Sequence, residues 1–494
     1  MNIPLVLHTL GNLIILLSCI LFMPLGVSLF YGIKEEIWAF VISIIASGVV
    51  GLALKFSFKH KNKDVTVREG LAIVAFWWIF CAFFGALPYR ISGACSTFCD
   101  SYFESMSGLT TTGATIIKNI EALPHGILFW RSMTQWLGGM GIIVFFVAVL
   151  PTIGVGGHKL FSAEAPDLTM DKIKPRIAQT AKTLWIIYLS LTAIIIPLLW
   201  FGGMEPFDAV CHAFTTIATG GFSTKSQSIG AFDSLFIEIV VMVFVFISAC
   251  NYVLHYQLVT GRFRKILVNS ELRFFVGLLL CAICFVTLAL FFFESSFYNG
   301  GVKEHNYESI GGALRYAAFQ AVSITTSTGY STADFDSWPN FCRFFLVLLM
   351  FIGGSAGSTA GGMKVVRILL LVKSSARELI HLLRPRAIMH VKLNGRPVSE
   401  DILTNTLGFI VIHLGLFGIF SLILTIFGTE VITSFSAVAS MMNNIGPALA
   451  DVGATKNYSE IVYPCKWVLI FCMLLGRLEI YTVILIFLPL TWRK

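Results

Sequence analysis

Long apolar runs recur along the chain and are separated by shorter polar segments. An α-helix needs about 20 mostly apolar residues to cross a bilayer, so this pattern is typical of an all-α polytopic membrane protein. Two such helices are predicted first, over about Leu10–Tyr31 and Ile37–Phe58. Four more spans are predicted further along, at Leu71–Pro88, Leu184–Phe201, Leu272–Phe293 and Leu403–Phe427.

Each of these four later spans begins the same plan. A semi-apolar segment of roughly three turns follows, too short to cross a bilayer, and then come a glycine-containing string and a second span. Aligned on one glycine, the strings read TTTGAT, IATGGF, TSTGYS and NNIGPA. The internal repeat predicts four pseudo-symmetric re-entrant units, because irregular backbone at membrane depth must line a cavity or be buried in protein. The aligned glycines are Gly113, Gly220, Gly329 and Gly446, separated by 107, 109 and 117 residues.

The four strings carry the residue types of a site for a monovalent cation. Backbone carbonyls aimed at a shared axis can replace the water shell of such an ion, and glycine reaches the backbone angles that this requires. The half-helices before the strings would point their partially negative ends at the centre. No acidic residue lies within the strings, so a carboxylate site for a divalent ion is disfavoured and neutral oxygens suited to K⁺ are expected. For any one string alone, an ordinary turn or a helix-packing surface is the alternative.

The charge distribution indicates topology rather than nucleic-acid binding. Hydrophobic residues make up 56% and charged residues 13% of the 494 residues, and the mean hydropathy is +0.82. Soluble domains carry about a quarter charged residues. The net charge of +8 comes mainly from a few basic segments, which the positive-inside rule places in the cytoplasm. These segments are Lys55–Glu69, Gly157–Lys182, Thr260–Arg273, Lys364–Arg396 and the C-terminus.

Two features interrupt the apolar pattern in the second half of the chain. The string GGSAGSTAGG (Gly353–Gly362) breaks the second span of the third repeat, and each glycine costs a helix about 1 kcal/mol relative to alanine. An intramembrane loop is expected there, with close helix packing through small residues as the alternative. Arg477 lies inside a predicted span, where a charge is costly and by default functional. The alternative for Arg477 is a salt bridge to Glu479 or another buried acid, although residues two apart on a helix do not face each other.

The cysteines, histidines and outer acids give weaker functional signals. A disulfide between Cys95 and Cys99 is left open, whereas the other cysteines mostly lie in apolar spans as packing residues. His212 is expected to pack on a half-helix face. No zinc-type cysteine spacing appears and the histidines are scattered, so an enzyme is not expected. Four acids near the outer mouth are expected either to concentrate cations or to cap the half-helices: Asp100, Glu104, Asp208 and Asp334.

A secondary transporter with broken helices is the main rival class, because it also uses glycine-interrupted spans. Its usual mark is a pair of inverted repeats. The four repeats here run in one orientation, each beginning on the basic side. This arrangement favours a pore with one filter, and ion-coupled transport stays open as the alternative.

The four strings, together with GGSAGSTAGGMKVVR and GRLEIYTVILIF, resemble the Trk/Ktr/HKT superfamily of potassium transporters. The two extra N-terminal helices make the chain similar to the TrkH branch of that superfamily. The resemblance implies a homodimer in the bacterial inner membrane, with K⁺ passing through a pore within each protomer. It divides the chain into two N-terminal helices (residues 1–60) and four pore repeats at 61–160, 161–265, 266–395 and 396–494.

Carried over by position, the resemblance also implies functional residues. The K⁺-lining backbone would be Thr111, Thr112, Gly113, Ala218, Thr219, Gly220, Ser327, Thr328, Gly329, Asn444, Ile445 and Gly446. A movable gate would involve Gly353, Gly354, Gly357, Gly361, Gly362 and Arg477.

Selectivity, partners and coupling complete the expectations. Each string lacks the second glycine of a TVGYG-type filter, so K⁺ and Rb⁺ are expected to be preferred over Na⁺ less strongly than in a potassium channel. K⁺ is the transported ion, and neither a cofactor in this chain nor a nucleic-acid partner is expected. The resemblance implies a cytosolic TrkA-like ring that binds NAD or ATP. The alternative function is a K⁺/H⁺ or K⁺/Na⁺ symport.

Overall fold

The computed structural model describes residues 1–58, 66–148, 173–297, 307, 309–387 and 389–487. Six helices in these ranges are long and apolar enough to cross a membrane, and they coincide with the six predicted spans. Parts of the predicted basic segments lie outside the described residues: most of Gly157–Lys182, the middle of Lys55–Glu69 and the two C-terminal residues.

The two N-terminal spans pack against each other through small residues. The first consists of α1 (Ile3–Ile20) and α2 (Phe22–Tyr31), and the second is α3 (Lys34–Ser57). Gly11 and Gly51 meet so closely that a Cβ at Gly11 would lie 2.8 Å from the Gly51 carbonyl oxygen. Small residues allow this close approach of helix backbones within a membrane.

Four repeats follow, each with a first span, a half-helix, a glycine string and a returning segment. The first spans are α4 (Val67–Ile91), α7 (Ile173–Phe201), α12 (Ser270–Phe297) and α16 (Glu400–Ile426). The half-helices are α5 (Phe98–Leu109), α8 (Pro206–Ile217), α13 (Ile310–Thr325) and α17 (Val431–Met442). The returning segments contain α6 (His125–Ala148), α9 (Leu235–Ala249) with α10 (Tyr252–Val259), α14 (Asn340–Met350) with α15 (Val365–Leu383), and α18 (Tyr463–Leu478) with α19 (Ile480–Phe487).

The half-helices are too short to cross a bilayer, as predicted. Three of them have 12 residues and α13 has 16, whereas a span needs about 20. At the start of α5, the Thr97 side chain accepts a hydrogen bond from the Asp100 N–H. Pro206 occupies the first position of α8, where its missing N–H has no helical partner to lose.

Three of the four returning segments are interrupted, and α6 alone is continuous over 24 residues. α9 and α10 form a 100° bend, residues 351–364 separate α14 from α15, and Glu479 separates α18 from α19 with a φ of +61°. The sequence pattern predicts only the interruption in the third repeat, and the breaks in the second and fourth repeats are not predicted. At the bend, the Asn251 side chain accepts a hydrogen bond from the Val253 N–H, which caps a new helix.

The basic segment after the third repeat is a helix followed by a hairpin rather than a simple loop. β1 (Lys392–Leu393) pairs antiparallel with β2 (Arg396–Pro397). Leu393 packs with Leu370 of α15 in a small buried cluster that holds the hairpin against the helix. A short helix, α11 (Phe263–Leu267), lies in the other described basic segment.

Ion pairs with at least one buried partner join neighbouring repeats beside the apolar core. Lys466 of the fourth repeat lies 2.8 Å from Asp100 of the first, measured from Nζ to Oδ1, and both residues are buried. Arg315 of the third repeat lies 2.7 Å from Glu238 of the second, measured from Nη2 to Oε1. Removing one partner of such a pair leaves an uncompensated buried charge, so these contacts favour one fixed arrangement of the repeats.

The Lys466–Asp100 pair predicts a stability effect. Lys466→Met leaves Asp100 buried and unpaired, so we expect it to destabilise the folded protein by about 3–5 kcal/mol. The measurement is the melting temperature in detergent micelles. The double variant Lys466→Met with Asp100→Asn should recover most of the loss, because no charge is then left unpaired.

Lys118 and Glu460 provide the matched control, because they join the same two repeats through an exposed pair. Exposed pairs contribute little to stability, so Lys118→Met should have the same melting temperature as the wild-type protein. Equal melting temperatures for Lys466→Met and Lys118→Met would contradict the assigned role of the buried pair.

Candidate functional site

Each half-helix ends in the same backbone motif. The second residue after the helix is left-handed, with φ between 51° and 53° at Thr111, Thr219, Ser327 and Asn444. Its N–H and the next N–H donate back to the last turn; in the first repeat, Thr111 donates to Gly108 O at 3.0 Å and Thr112 to Ser107 O at 2.9 Å. The same two bonds occur in the other three repeats. This is a Schellman motif, which usually has glycine at the left-handed position.

Residues with a side chain occupy that position in all four repeats at an energetic cost. A left-handed conformation costs an L-residue roughly 1–2 kcal/mol relative to the right-handed one. Threonine, serine and asparagine supply a side-chain oxygen that glycine lacks. Thr219 and Ser327 use this oxygen in contacts described below, which gives a physical reason for the strain.

The backbone assigns a different register to the second repeat than the sequence alignment does. Two residues after each left-handed side-chain residue comes a left-handed glycine, with φ between 80° and 101° at Gly113, Gly221, Gly329 and Gly446. Gly220 has a negative φ and is therefore not the equivalent of Gly113. The matching triplet is Thr219–Gly221 rather than Ala218–Gly220, and the equivalent glycines are 108, 108 and 117 residues apart.

Gly220 is a glycine for a different reason from Gly221. This explains why the second string has two adjacent glycines, which made the sequence alignment ambiguous. A Cβ at Gly220 would overlap the amide group of Gln135 on α6. The Gln135 amide nitrogen donates to Gly220 O at 2.6 Å, and its amide oxygen accepts from the Phe222 N–H at 3.1 Å. The first glycine makes room for this clamp, whereas the second provides the left-handed turn.

The four triplets close into a ring. A Cβ added to the left-handed glycine of one repeat would overlap the carbonyl oxygen of the residue before the equivalent glycine in the next repeat. The contacts are Gly113 with Gly220 O, Gly221 with Thr328 O, Gly329 with Ile445 O, and Gly446 with Thr112 O. We call this assembly the carbonyl ring; it comprises Thr111–Gly113, Thr219–Gly221, Ser327–Gly329 and Asn444–Gly446.

Most carbonyl oxygens of the ring have no protein donor. Of the twelve, only Gly220 O and Gly446 O accept a hydrogen bond in the part of the chain that the structure describes; the donors are Gln135 and the Tyr458 hydroxyl, the latter at 2.8 Å. Apart from three of the glycines, which are half-buried, the ring residues are buried. Unpaired carbonyls in a protein interior are costly, so a ring that holds so many of them can bind a cation or water.

Side chains at one equivalent position of the half-helices support the glycine strings. Nine residues before the left-handed glycine, Glu104 accepts a bond from Thr115 Oγ1 at 3.0 Å and His212 Nε2 lies 3.0 Å from Ser223 Oγ. Gln320 holds this position in the third repeat, and its amide has no partner among the described residues. Ala437 holds it in the fourth. The brace is therefore strongest in the first two repeats.

The four acids that the sequence analysis places near the outer mouth are engaged by the protein itself. Glu104 also pairs with the fully buried Arg131 at 2.8 Å, and Asp208 accepts a bond from Thr224 Oγ1 at 2.7 Å. Asp334 caps a short 3₁₀ helix by accepting from the Asp336 N–H. Asp100 pairs with Lys466. Each of the four acids thus has a partner within the protein, and none of them caps a half-helix in the part of the chain that the structure describes.

The interruption in the third repeat lies directly against the carbonyl ring. We call residues 351–364 the central loop. Thr359 Oγ1 accepts a bond from Thr219 Oγ1 at 3.2 Å, and Ser327 Oγ accepts one from the Gly361 N–H at 2.6 Å. A Cβ at Gly361 would lie 2.7 Å from the Asn444 Cβ. The loop therefore contacts the left-handed side-chain residues of three repeats at once.

Arg477 anchors the central loop from the fourth repeat. Its guanidinium donates to Thr359 O at 2.7 Å and to Gly138 O of the first repeat at 3.0 Å. The alternative salt bridge to Glu479 is not formed, because Glu479 pairs with Arg367 at 2.6 Å. Arg477 lies in the last turn of α18, where the helix dipole favours a cation, and not in the middle of an unbroken span.

The remaining sequence expectations concern thiols and metals. All eleven cysteines are free, so the Cys95–Cys99 disulfide is not formed. No cluster of His, Cys, Asp and Glu that could hold a metal ion occurs within the described ranges.

Sequence reasoning missed the residues that hold the ring from outside the strings. Arg131 and Gln135 lie four apart on the apolar helix α6, and a polar pair at that spacing in a membrane helix is a usable signal. Tyr458 has no such signal, because it lies in a short 3₁₀ helix between α17 and α18.

Known proteins resemble this chain over nearly its whole length. A family model described as "TrkH: Cation transport protein" matches residues 36–492. The Trk system potassium uptake protein TrkH of Salmonella typhimurium is 42% identical, with 98% of each chain covered. TrkG of Escherichia coli, also a Trk system potassium uptake protein, is 35% identical, with 100% of this chain and 99% of TrkG covered.

A solved structure agrees with these relatives. The crystal structure of the potassium transporter TrkH from Vibrio parahaemolyticus matches with a TM-score of 0.90 and 38% identity, covering 100% of both chains. The match extends over the repeats, the half-helices and the interrupted returning segments described above. The chain is therefore a multi-pass membrane protein that belongs to the TrkH family of cation transport proteins.

Proposed function

We propose that this chain mediates potassium uptake across the bacterial inner membrane, with the carbonyl ring as its selectivity filter. The observation that carries the proposal is a closed ring of four repeats in which ten main-chain carbonyl oxygens have no donor among the described residues. The relatives named for potassium uptake support the choice of ion. In the corrected register, the ion-lining backbone is Thr111–Gly113, Thr219–Gly221, Ser327–Gly329 and Asn444–Gly446.

The chemistry of the ring favours a large monovalent cation. Its ligands are neutral carbonyl and hydroxyl oxygens, and hydroxyls such as Thr112 and Thr328 are held by neighbours at 2.7 and 2.8 Å. Divalent ions prefer carboxylates, which the strings lack. Carbonyls arranged around an axis replace the hydration shell of K⁺ and accept Rb⁺ in the same way. Each string has one left-handed glycine, so discrimination against Na⁺ is weaker than in a TVGYG filter.

The central loop is the proposed gate. It contacts three repeats at the helix end of the ring and carries Gly353, Gly354, Gly357, Gly361 and Gly362, of which two have positive φ. Glycine permits the change of backbone angles that a hinge absorbs. Arg477 holds the loop in place through Thr359 O, so its loss favours an open loop.

Regulation by a partner completes the proposal. We place two protomers together as a homodimer, with a cytosolic TrkA-like ring that carries NAD or ATP. The basic surface at the end of α15, where Arg384 and Arg386 are exposed, is the docking face for that ring. Movement of α15 then reaches the central loop directly, because α15 begins where the loop ends.

Uptake by the purified chain tests the filter. Proteoliposomes containing this protein should take up Rb⁺, and external K⁺ should inhibit that uptake at a lower concentration than Na⁺. Inhibition by Na⁺ and K⁺ at equal concentrations would contradict a potassium filter. Uptake that requires a pH or Na⁺ gradient would instead favour a symporter.

Substitution of the left-handed glycine tests the register. Gly221→Ala places a side chain at a φ of +80° and against the Thr328 carbonyl, so we expect at least a ten-fold loss of K⁺-sensitive Rb⁺ uptake. Gly418→Ala is the matched control, because nothing lies within 4 Å of the added Cβ. Normal uptake by folded Gly221→Ala protein would exclude the assigned register.

Release of the gate tests the role of Arg477. Arg477→Met removes both anchors, Thr359 O and Gly138 O, so Rb⁺ uptake by the chain alone should rise several-fold. Arg377→Met is the control, since Arg377 lies on the part of α15 far from the central loop and pairs with Glu378 of α15 and Glu400 of α16. Unchanged uptake by folded Arg477→Met protein would count against a gate held by this residue.

A further inference from the structure

Tyr458 touches the carbonyl ring at the boundary between the fourth and first repeats. It is 2% exposed and lies in the 3₁₀ helix Tyr458–Glu460. Its hydroxyl donates to Gly446 O at 2.8 Å. Its main-chain N–H donates to Thr115 O, two residues beyond Gly113, at 2.9 Å. One residue thus ties the strings of two neighbouring repeats.

The fourth string needs such a support because it lacks the brace of the first two repeats. Ala437 and Ala448 occupy the positions at which Glu104 meets Thr115 and His212 meets Ser223. Pro447, directly after the left-handed glycine, has no N–H to donate. The Tyr458 hydroxyl fixes the fourth string from a different direction.

The phenol ring is itself held in place. Its centroid lies 5.6 Å from that of Phe103, which is fully buried on α5. Aromatic pairs at this separation are attractive beyond their buried area. The hydroxyl is therefore presented to Gly446 O by a rigid side chain.

The bond makes the ligand set of the ring unequal. Among the left-handed glycines, Gly446 alone has a carbonyl that accepts a bond from the described protein, whereas Gly113, Gly221 and Gly329 have no such donor. A carbonyl oxygen that already accepts one hydrogen bond has a fixed position and one lone pair fewer to offer. Its capacity to move toward an ion is reduced.

We infer that Tyr458 is a specificity-determining residue that acts by positioning the Gly446 carbonyl, an inference that rests on the proposed potassium filter. Na⁺ is smaller than K⁺ and needs oxygen atoms closer to the axis. The Tyr458 hydroxyl holds one side of the ring at a distance that suits K⁺ and opposes its contraction around Na⁺. Without that hydrogen bond, the fourth string relaxes inward and Na⁺ is accommodated better.

Tyr458→Phe removes the hydroxyl and keeps the aromatic ring of the side chain. The measurement is the inhibition of Rb⁺ uptake into proteoliposomes by external Na⁺ and by external K⁺. The quantity compared is the Na⁺ concentration that halves the uptake divided by the K⁺ concentration that does so. We expect this ratio to fall about five-fold, the effect of one net hydrogen bond, while the maximal Rb⁺ uptake changes less. A general loss of folding would lower uptake without changing the ratio.

Tyr102→Phe is the matched control. Tyr102 is a buried tyrosine of the first half-helix whose hydroxyl donates to Ile79 O, outside the ring, at 3.3 Å. Its ratio should equal that of the wild-type protein. A lowered ratio in both variants would overturn the inference, because any lost tyrosine hydroxyl would then have the same effect.

The outcomes separate this inference from the proposed function. Equal inhibition of wild-type uptake by K⁺ and Na⁺ would contradict the proposed potassium filter, and with it the role of Tyr458. K⁺-selective wild-type uptake with an unchanged ratio in Tyr458→Phe would overturn the inference alone. If Tyr458→Phe does not fold, 3-fluorotyrosine at position 458 serves instead; as a stronger donor of nearly the same size, it should keep or raise the ratio, and a fall would overturn the inference.

Discussion

Main-chain carbonyl groups inside a membrane need partners, and the architecture of this protein follows from leaving a small set of them without donors among the described residues. Helices satisfy their own backbone, so the exceptions must occur where helices end. Four half-helices end at a common centre, and each ends in a Schellman motif that spends its N–H groups on the last helical turn. What remains at the centre is mostly carbonyl oxygen. The long spans, the short half-helices and the interrupted returning segments all serve to bring those ends together.

The backbone conformation of the carbonyl ring repeats in all four strings, whereas the side chains that support the strings differ from repeat to repeat. The left-handed residues and their hydrogen bonds repeat closely in all four strings. Behind them, the first string is braced by a buried carboxylate, the second by a histidine and by Gln135, and the fourth by a tyrosine from outside the half-helix. Because one chain encodes all four repeats, each can adopt its own solution. In the proposed filter, an ion would therefore meet nearly equal carbonyls that differ in stiffness.

The sequence predicts the apolar spans, the half-helices and the central loop well, because each follows from composition over ten or more residues. It predicts the register of the second repeat incorrectly, because Gly220 and Gly221 are adjacent and only the backbone reveals which one is left-handed. The break near Asn251 has no glycine or proline beside it, and the break at Glu479 has only Gly476, which lies inside the preceding helix. Tyr458 and Gln135 act through contacts with other repeats, and such contacts depend on the assembled fold rather than on local pattern.

The contacts between the central loop and the ring have a thermodynamic consequence. Thr219 and Ser327 belong to the ring and also hydrogen-bond to the loop, so the two elements share part of their free energy. Linkage requires that such coupling be reciprocal. If displacement of the loop changes the affinity of the ring for an ion, then an ion in the ring changes the equilibrium of the loop by the same factor. If the central loop is the gate, as proposed, the concentration of the permeant ion would itself be an effector of opening, alongside any protein bound on the cytoplasmic side.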